Sequence, residues 1–299
     1  RRAVQGYSTR HAPQKTLITV TGYYRTMVTG RYDNVSVAYS ADRSLCYVRI
    51  DNQEKNNVLD RRTISDLNGA LRRADRDADV DGIILGSVGE IFCSGADLDE
   101  IKGRDLESGT RWLNAYHDNL EVLKDTGKPT VAAVTGTCVA GGQELIMGCD
   151  LIVAGESARF GQPEVKVGST AGSGGLQMLP LMVGERRARD ILLTGRLLEA
   201  EEAFDMGLVN RLVDDDAVED RATELILDVI EHSSPQAYRV MKSIMKQWSN
   251  LALLGWESQR ELTAAVWRSA EFTERSDAFL AKEDPDRRSF MGSSPTRDG

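Results

Sequence analysis

The chain has 299 residues, of which 41% are hydrophobic and 28% are charged, and its formal net charge is −9 at pH 7. This is the balance of an ordinary globular protein with a sizeable core, and it excludes an overall basic field for nucleic acid. No apolar run approaches the ~20 residues of a membrane span, so the sequence predicts no membrane-spanning segment.

The first 32 residues are basic and contain no acid, since the first acidic residue is Asp33. Residues 1–32 are predicted to be a flexible N-terminal extension. Two alternatives are a transit segment for an organelle and upstream sequence before a start at Met27. The strong amphipathic pattern of a transit segment is missing.

An α/β core is predicted over residues 33–216. Alternating residues at 35–39 and 46–50 predict an antiparallel hairpin, and apolar residues at three- and four-residue spacing predict a helix from Asp60. A buried strand at 82–86 and a loop at 91–97 follow. The other predicted helices lie at 108–124, from 143, at 172–183, at 185–194 and at 199–206, and the other strands at 130–134, 150–154, 159–160 and 208–213. Recurring strand–strand–helix units indicate a winding α/β core.

Only helices are predicted after residue 217, at roughly 217–232, 235–248, 251–270 and 273–281. Residues 217–290 are therefore a predicted C-terminal helical region, and 291–299 a disordered tail. Trp248, Trp256 and Trp267 are predicted to pack a subunit interface. Lys242 and Lys246 either reach the phosphates of a ligand or are ordinary exposed helix lysines.

The four cysteines, at positions 46, 93, 138 and 149, show no CxxC spacing, and the three histidines lie far apart. The thiols are predicted to stay reduced, which favours a cytoplasmic location. An organelle matrix is the alternative if residues 1–32 are a transit segment. A metal site and a histidine-based triad are not expected.

Two loops, Phe92–Asp97 and Thr137–Glu144, each lead from a strand into a helix. Backbone N–H groups near a helix N-terminus lack intrahelical acceptors, and two of them aimed at one point hold a carbonyl oxygen and stabilise negative charge on it. Gly141 and Gly142 have no side chains, so a substrate can approach the backbone closely. The alternative is that these glycines serve tight packing only.

Two carboxylates accompany these glycine-rich segments. Glu144 falls on the first turn of a helix, where a carboxylate also suits the helix dipole, and Glu164 follows Pro163 in an apolar setting that raises a carboxyl's affinity for protons. Two carboxyls that face one water can add it across a double bond as base and acid. Sequence spacing alone leaves open whether they face each other.

These segments together resemble the enoyl-CoA hydratase/isomerase (crotonase) superfamily. The matching pieces are Phe92–Leu98, Gly127–Pro129, Gly141–Leu145, Cys149–Asp150, Phe160–Gly168, Gly172–Gly175, Leu193–Gly195, Ala200–Ala203 and Gly207–Val209, with Ala278–Lys282 near the end. The resemblance implies an α/β crotonase-like (ClpP/crotonase) fold, a spiral of ββα units with a C-terminal helical region for oligomerisation and active-site cover. It also implies homotrimers or dimers of trimers.

The resemblance further implies an acyl-coenzyme A thioester as substrate, a role in fatty acid metabolism, and no cofactor other than the coenzyme A that the substrate carries. The N–H groups of Ser94 and Gly141 would form the oxyanion hole, and Glu144 and Glu164 would be the catalytic acid/base pair. Predicted substrate-binding residues are Ser94, Gly95, Ala96, Asp97, Gly142, Trp112 and Tyr116. The alternative for Trp112 and Tyr116 is that they are core aromatics at helical spacing.

The leading hypothesis is an enoyl-CoA hydratase that adds water across the 2,3 double bond. Alternatives are another crotonase-family reaction, either double-bond isomerisation or thioester or C–C hydrolysis, and a non-catalytic acyl-CoA or RNA-binding scaffold. Lys166–Ser169 also resembles dihydroxynaphthoyl-CoA synthases, a branch that generally lacks an acid at the position of Glu164. Ala140 replaces a common glycine, at a small expected cost, and Ser169–Ala171 borders the acyl pocket and leaves the acyl group open.

Overall fold

The structure, a computed structural model, describes residues 17–19, 25–28, 32–286 and 288. The predicted tail 291–299 lies outside the described residues, as does most of the predicted extension 1–32. Two short segments of that extension form strands, which the sequence pattern did not indicate.

The described residues form twelve strands. They are β1 Leu17–Thr19, β2 Arg25–Val28, β3 Val35–Tyr39, β4 Leu45–Ile50, β5 Gly82–Ser87, β6 Ile91–Cys93, β7 Thr130–Val134, β8 Thr137–Val139, β9 Leu151–Gly155, β10 Arg159–Gly161, β11 Leu197–Glu199 and β12 Arg211–Val213. Eight of them make one sheet in the order β1-β2-β3-β4-β5-β7-β9-β12, antiparallel from β1 to β4 and parallel from β4 to β12. A smaller sheet has the order β11-β10-β8-β6.

The same residues form eleven α-helices. They are α1 Arg61–Arg76, α2 Leu98–Ile101, α3 Leu106–Asp125, α4 Gly141–Ile146, α5 Gly175–Val183, α6 Glu185–Thr194, α7 Ala200–Asp205, α8 Val218–His232, α9 Pro235–Ala252, α10 Trp256–Trp267 and α11 Ala270–Ala281. Short 3₁₀ turns lie at Gln53–Lys55, Pro163–Val167, Asp215–Ala217 and Leu253–Gly255. None of the described helices is long and apolar enough to cross a lipid bilayer.

The predicted hairpin is confirmed as β3 and β4, which pair antiparallel, and the predicted strands and helices follow one another in the predicted order, although the short elements β6, α2, β8 and β11 were not predicted. Several assignments were wrong in extent. The strand predicted at 208–213 is limited to Arg211–Val213, and the loops predicted at 91–97 and 137–144 begin as the strands β6 and β8. The helix predicted at 172–183 begins only at Gly175, and the helix predicted at 251–270 is limited to Trp256–Trp267. The three strands have three residues each, too few for an alternating pattern to mark their bounds.

Helix α3 positions much of the site. It begins at the N-cap Asp105, whose side chain accepts a hydrogen bond from Ser108 N at 2.7 Å. Its buried face carries Trp112, Tyr116 and His117 at helical spacing and packs against α1, α4 and α10. This one helix therefore joins the α/β core to the C-terminal helices.

The C-terminal helices dock on the core through specific contacts. Lys242 Nζ lies 2.7 Å from Asp150 Oδ2, and Lys246 pairs with Asp125, so both lysines are engaged within the chain rather than free for phosphates. The prediction that all three tryptophans pack a subunit interface needs correction. Trp256 stacks on His117 and Trp267 is buried against Trp112, whereas Trp248 is exposed.

Candidate active site

A cleft of about 610 Å³ opens between the β6–α2 loop, α3, α4, the turn Pro163–Val167 and the helices α10 and α11. Its lining includes eight residues singled out in the sequence, namely Ser94, Ala96, Asp97, Trp112, Tyr116, Gly141, Glu144 and Glu164. The fold therefore brings both glycine-bearing loops and both carboxylates to one cavity. Gly95 and Gly142 are not part of this lining, and direct substrate contact by them stays a prediction.

The N-terminus of α4 opens into the cleft at Gly141. The first helical hydrogen bond runs from Glu144 N to Ala140 O at 3.0 Å, so the N–H groups before it have no helical acceptor. The Tyr116 hydroxyl donates to the Gly141 carbonyl oxygen. A Cβ at position 141 would lie 3.0 Å from that hydroxyl oxygen and 3.1 Å from Leu59 Cδ1. A larger residue at position 141 would require these two side chains to move by a few tenths of an ångström.

Gly142 serves the packing of α4 on β6. A Cβ at this position would lie 2.6 Å from Cys93 Cβ and 2.8 Å from Cys93 O, which is too close for any other residue. The functional interpretation of the glycine pair therefore fits Gly141, and the packing interpretation fits Gly142. Gly141 borders the cleft and Gly142 allows the helix to approach the strand.

Ala140, the N-cap residue of α4, has φ 51° and ψ −127°. A residue with a Cβ rarely adopts this conformation, and such strain costs about 1–3 kcal/mol. The expectation that alanine costs little at this position is therefore wrong. The strain sits immediately before the Gly141 N–H, at the point where the chain turns into α4.

A second N–H group borders the same region at Ala96. Leu59 N donates to Gly95 O at 2.7 Å and Asp97 N donates to Leu59 O at 3.4 Å, which forms a bridge between Leu59 and Ala96. In an extended chain the Ala96 N–H, which lies between Gly95 O and Asp97 N, points to the side opposite Leu59. Ala96 is thus a candidate donor that the sequence did not single out for this role. The Ser94 hydroxyl is engaged with Asn56 O at 2.9 Å.

Glu144 is a buried carboxyl with two backbone donors. Its side chain is 2% exposed, and Oε1 accepts hydrogen bonds from Ser173 N and Gly175 N at 2.8 Å each. Burial raises the pKa of Glu144 to about 7, although the two N–H donors and His117 lower it. Glu144 is therefore placed to exchange a proton near neutral pH.

Glu164 lies at the start of the turn Pro163–Val167 and faces the same cavity. Burial, and then the charge of Glu144, raise the pKa of Glu164 well above its ordinary value. With its amide nitrogen turned to the carboxyl, Gln162 donates to Glu164 Oε1 at 2.8 Å and to Oε2 at 3.2 Å. With the amide oxygen there, a protonated Glu164 donates instead. Gln162 can therefore hydrogen-bond to Glu164 whether that carboxyl is ionised or protonated.

The two ends of the cleft differ in character. At the inner end Trp112 packs against Tyr116 and Trp267, with ring centroids 5.7 Å and 5.5 Å apart. Trp112 and Tyr116 are both core aromatics and cleft lining, so the two interpretations of them are compatible. At the outer end Lys55 Nζ lies 3.0 Å from Asp97 Oδ2. The cleft thus has an aromatic interior and a charged rim.

Two further residues act on the site without having been assigned roles from the sequence, namely Ser173 and His117. Ser173 holds Glu144 through its backbone N–H, and His117 contacts Ser173. The glycine run around Ser173, just before α5, was a usable signal for donor N–H groups. His117 carried no signal, since an isolated histidine on a helix matches no motif. Among the described residues no group of three or more His, Cys, Asp or Glu side chains could hold a metal ion.

Comparison with known sequences bears on this site. The family model for enoyl-CoA hydratase/isomerase matches residues 40–289. A probable enoyl-CoA hydratase of Rhizobium meliloti is 34% identical over 226 residues, covering 76% of this chain and 87% of that protein. A probable enoyl-CoA hydratase of Mycobacterium bovis is 31% identical over 253 residues, covering 84% and 96% respectively.

Solved structures give the same picture. An enoyl-CoA hydratase from Bacillus anthracis is 29% identical, with a TM-score of 0.68 and coverage of 85% of this chain and 98% of that one. An enoyl-CoA hydratase/isomerase from Pseudoalteromonas atlantica is 26% identical, with a TM-score of 0.75 and coverage of 86% and 100%. The similarity therefore extends over nearly the whole of these proteins.

Proposed function

Because the chain belongs to the enoyl-CoA hydratase/isomerase family, we propose that it is a hydratase that adds water across the 2,3 double bond of a 2-enoyl-CoA thioester. The observation that carries this proposal is the pair of carboxyls, buried Glu144 and half-buried Glu164, in one cleft beside the N-terminus of α4. Hydration needs a base that takes a proton from water and an acid that gives a proton to carbon. Two carboxyls whose environments differ are suited to these two tasks.

The thioester carbonyl oxygen binds at the N-terminus of α4 in this proposal. The Gly141 N–H donates one hydrogen bond to it, and an N–H of the segment Ser94–Ala96 donates the second. Ala96 is favoured by the Leu59 bridge, and Ser94 is the donor expected from the family resemblance. Both bonds strengthen as negative charge develops on the oxygen, and one such donor contributes about 10²–10³ in turnover.

The proposed acid and base follow from the surroundings of the two carboxyls. Two N–H donors stabilise the anion of Glu144, so Glu144 acts as the base that directs water to C3. Glu164 keeps its proton because its pKa is raised further by the charge of Glu144, so Glu164 supplies the proton at C2. No step needs a metal or a redox cofactor in this proposal, since the only cofactor is the coenzyme A of the substrate.

Substrate contacts are assigned by position in the cleft. The acyl group extends past Trp112 and Tyr116, with Ser169 and Thr170 beside it, and the coenzyme A leaves along Ala96 and Asp97 at the charged rim. A homotrimer, or a dimer of trimers, is supported by the exposed apolar face of α9, which includes Met245 and Trp248, each 70% exposed. A cytoplasmic location and a role in fatty acid metabolism complete the proposal.

The reaction is tested with isotopically labelled water and a panel of enoyl-CoA thioesters. Stoichiometric incorporation of the labelled hydroxyl at C3 is expected. Migration of the double bond without oxygen incorporation would indicate an isomerase, and release of free coenzyme A or a shortened acyl group would indicate a hydrolase. Ligand binding with no turnover of any thioester would indicate a non-catalytic scaffold. Each of these three outcomes would overturn the hydratase assignment.

A further inference from the structure

His117 lies on the side of α3 next to Tyr116 and is 8% exposed. Its ring stacks on Trp256 with centroids 4.0 Å apart. Nδ1 lies 3.4 Å from both Ser173 Oγ and Ser173 O, and Nε2 lies 3.5 Å from Glu121 Oε1. A buried histidine with a partner at each ring nitrogen has a fixed orientation. The hydratase mechanism proposed above gives this ring no task.

The hydrogen-bond partners determine how the ring is protonated. The pKa of Glu121 is lowered to about 2, first through the hydrogen bond from His117, so Glu121 is anionic and requires a donor at Nε2. Nδ1 then accepts from the Ser173 hydroxyl when the ring is neutral and donates to the Ser173 carbonyl oxygen when the ring is protonated, so its partner belongs to Ser173 in both states. His117 therefore holds the Ser173 side chain from one side while Glu121 holds His117 from the other.

Ser173 connects this ring to the carboxyl in the cleft. Its hydroxyl meets His117, and its backbone N–H donates to Glu144 Oε1 at 2.8 Å. Trp256, which stacks on His117, also donates from Nε1 to Gly172 O at 3.3 Å. The loop that supplies both N–H donors of Glu144 is thus fixed at two successive residues by His117 and its stacking partner.

We propose that His117 is a positioning residue for Glu144, acting through Ser173 and oriented by Glu121. A residue that touches neither substrate nor reacting atoms is not catalytic, but it sets the geometry of the two N–H groups that favour the Glu144 anion. The expected effect of His117 on kcat rests on the proposed hydratase function, whereas its positioning role does not. The arrangement of His117, Ser173 and Glu144 is a property of the chain itself.

Several charged or titratable groups face His117 and its partners from the elements packed around them. They are Glu121 on α3, Lys124 at 2.7 Å and Lys246 at 3.6 Å from Glu121, Glu144 on α4, and Arg260 on α10 over the Trp256 ring. The two lysines lie against Glu121, the carboxylate that orients His117, rather than against Glu144. Loss of the ring is expected to raise the pKa of Glu144, because the positive charge of a protonated His117 lowers it and the ring holds the loop that carries the two N–H donors.

The variant His117→Phe keeps a ring for stacking on Trp256 and removes both hydrogen bonds. We expect its kcat to fall by about tenfold to a hundredfold, because the loss of one or two hydrogen bonds to buried groups is of that size. The rising limb of its pH profile is expected to shift to higher pH. Its affinity for a saturated acyl-CoA is expected to stay within about twofold, a split that a general loss of structure would not give.

Two milder variants and a matched control separate this effect from misfolding. His117→Gln retains a donor and an acceptor and is expected to recover part of the activity, and Ser173→Ala removes the hydroxyl but keeps the N–H to Glu144. The control is His232→Phe, because His232 also has an acid four residues away, Asp228 at 3.2 Å, but lies exposed on α8. Unchanged kcat and pH profile in folded His117→Phe and Ser173→Ala would overturn the proposal.

A substrate-free measurement keeps this inference separate from the proposed reaction. The carboxyl carbons of 13C-labelled glutamate are titrated by NMR, and the Glu144 signal is identified by its absence in Glu144→Gln. We expect its pKa to rise in His117→Phe and to stay unchanged in His232→Phe. An unchanged Glu144 titration in His117→Phe would overturn the positioning role, even if the wild-type protein hydrates no enoyl-CoA.

Discussion

The hydroxyl of Tyr116 on α3 donates a hydrogen bond to the carbonyl oxygen of Gly141 at the start of α4. Both groups are buried, and the bond fixes the peptide plane that follows Gly141, a residue that lines the cleft. The helix that lines the aromatic end of the cleft thereby also sets the geometry of the proposed oxyanion hole.

The variant Tyr116→Phe removes this hydroxyl and leaves a buried carbonyl without its donor. An unsatisfied buried group costs about 1–3 kcal/mol, so we expect a lower free energy of unfolding together with a lower kcat. Tyr238→Phe is the matched control, since it removes a hydroxyl that bonds Asp150 far from the cleft. Denaturant unfolding and steady-state hydration assays measure both effects. Equal kcat values in the two variants would contradict the role of Tyr116.

Replacement of Ala140 by glycine is expected to stabilise the protein. Glycine adopts φ near 51° without the steric penalty of a Cβ, and relief of this strain is worth about 1–3 kcal/mol. Ala154→Gly, in the buried strand β9, is the control and is expected to destabilise by roughly 0.5–1 kcal/mol. Thermal unfolding of the two variants should therefore shift Tm in opposite directions. A lower Tm for Ala140→Gly would mean that position 140 carries no strain.

The stability of the protein is expected to depend on pH through Glu144. Its folded-state pKa of about 7 lies above the ordinary value of 4.5, so its stabilising contribution is full below about pH 4.5 and is lost as pH rises through 7. The neutral side chain in Glu144→Gln avoids this loss and can still accept from Ser173 and Gly175. The free energy of unfolding of the variant, measured relative to wild type, should increase by on the order of 3 kcal/mol from acid to mildly alkaline pH. Parallel pH dependences of unfolding in the two proteins would refute this.

The exposed face of α9 is expected to be covered by another copy of the chain. Val240, Ile244 and Trp248 follow one another at four-residue spacing and are all exposed, as are Met241 and Met245. A double variant that carries Met245→Asp and Trp248→Asp should convert a trimer or hexamer into monomers. Leu193→Asp on α6, at an exposed apolar position elsewhere, should not. Sedimentation velocity measures the mass, and a monomeric wild-type protein would contradict the proposed assembly.

Much of this architecture follows from local patterns in the sequence. The α/β fold inferred from the resemblance is confirmed, and so are the hairpin β3–β4 and the helix α1, whose apolar spacing is clear over several turns. The small second sheet was harder to predict, because its three-residue strands are paired by tertiary contacts rather than marked by periodicity. The assignment of Trp267 to a subunit interface failed for a related reason. Helical spacing identifies an apolar face but not the surface it meets.

The residues of the site also divide into those that local sequence predicts and those that it does not. Glu144, Glu164 and Gly141 lie in segments with recognisable sequence, and the fold brings them to one cleft. The contacts of His117 with Ser173, Glu121 and Trp256 join three separate parts of the chain, so no local pattern could indicate them. The strain at Ala140 was equally hidden, because it depends on a backbone dihedral angle and not on residue type.

The two-carboxyl mechanism is tested most directly by comparing Glu144→Gln and Glu164→Gln with the wild type. For each variant we would measure hydration turnover with a 2-enoyl-CoA and the Kd of the matching saturated acyl-CoA. Each substitution is expected to lower kcat by about 10²–10⁴, since each removes one proton-transfer group, while Kd stays nearly constant. Wild-type turnover in both folded variants, with unchanged Kd, would contradict the account.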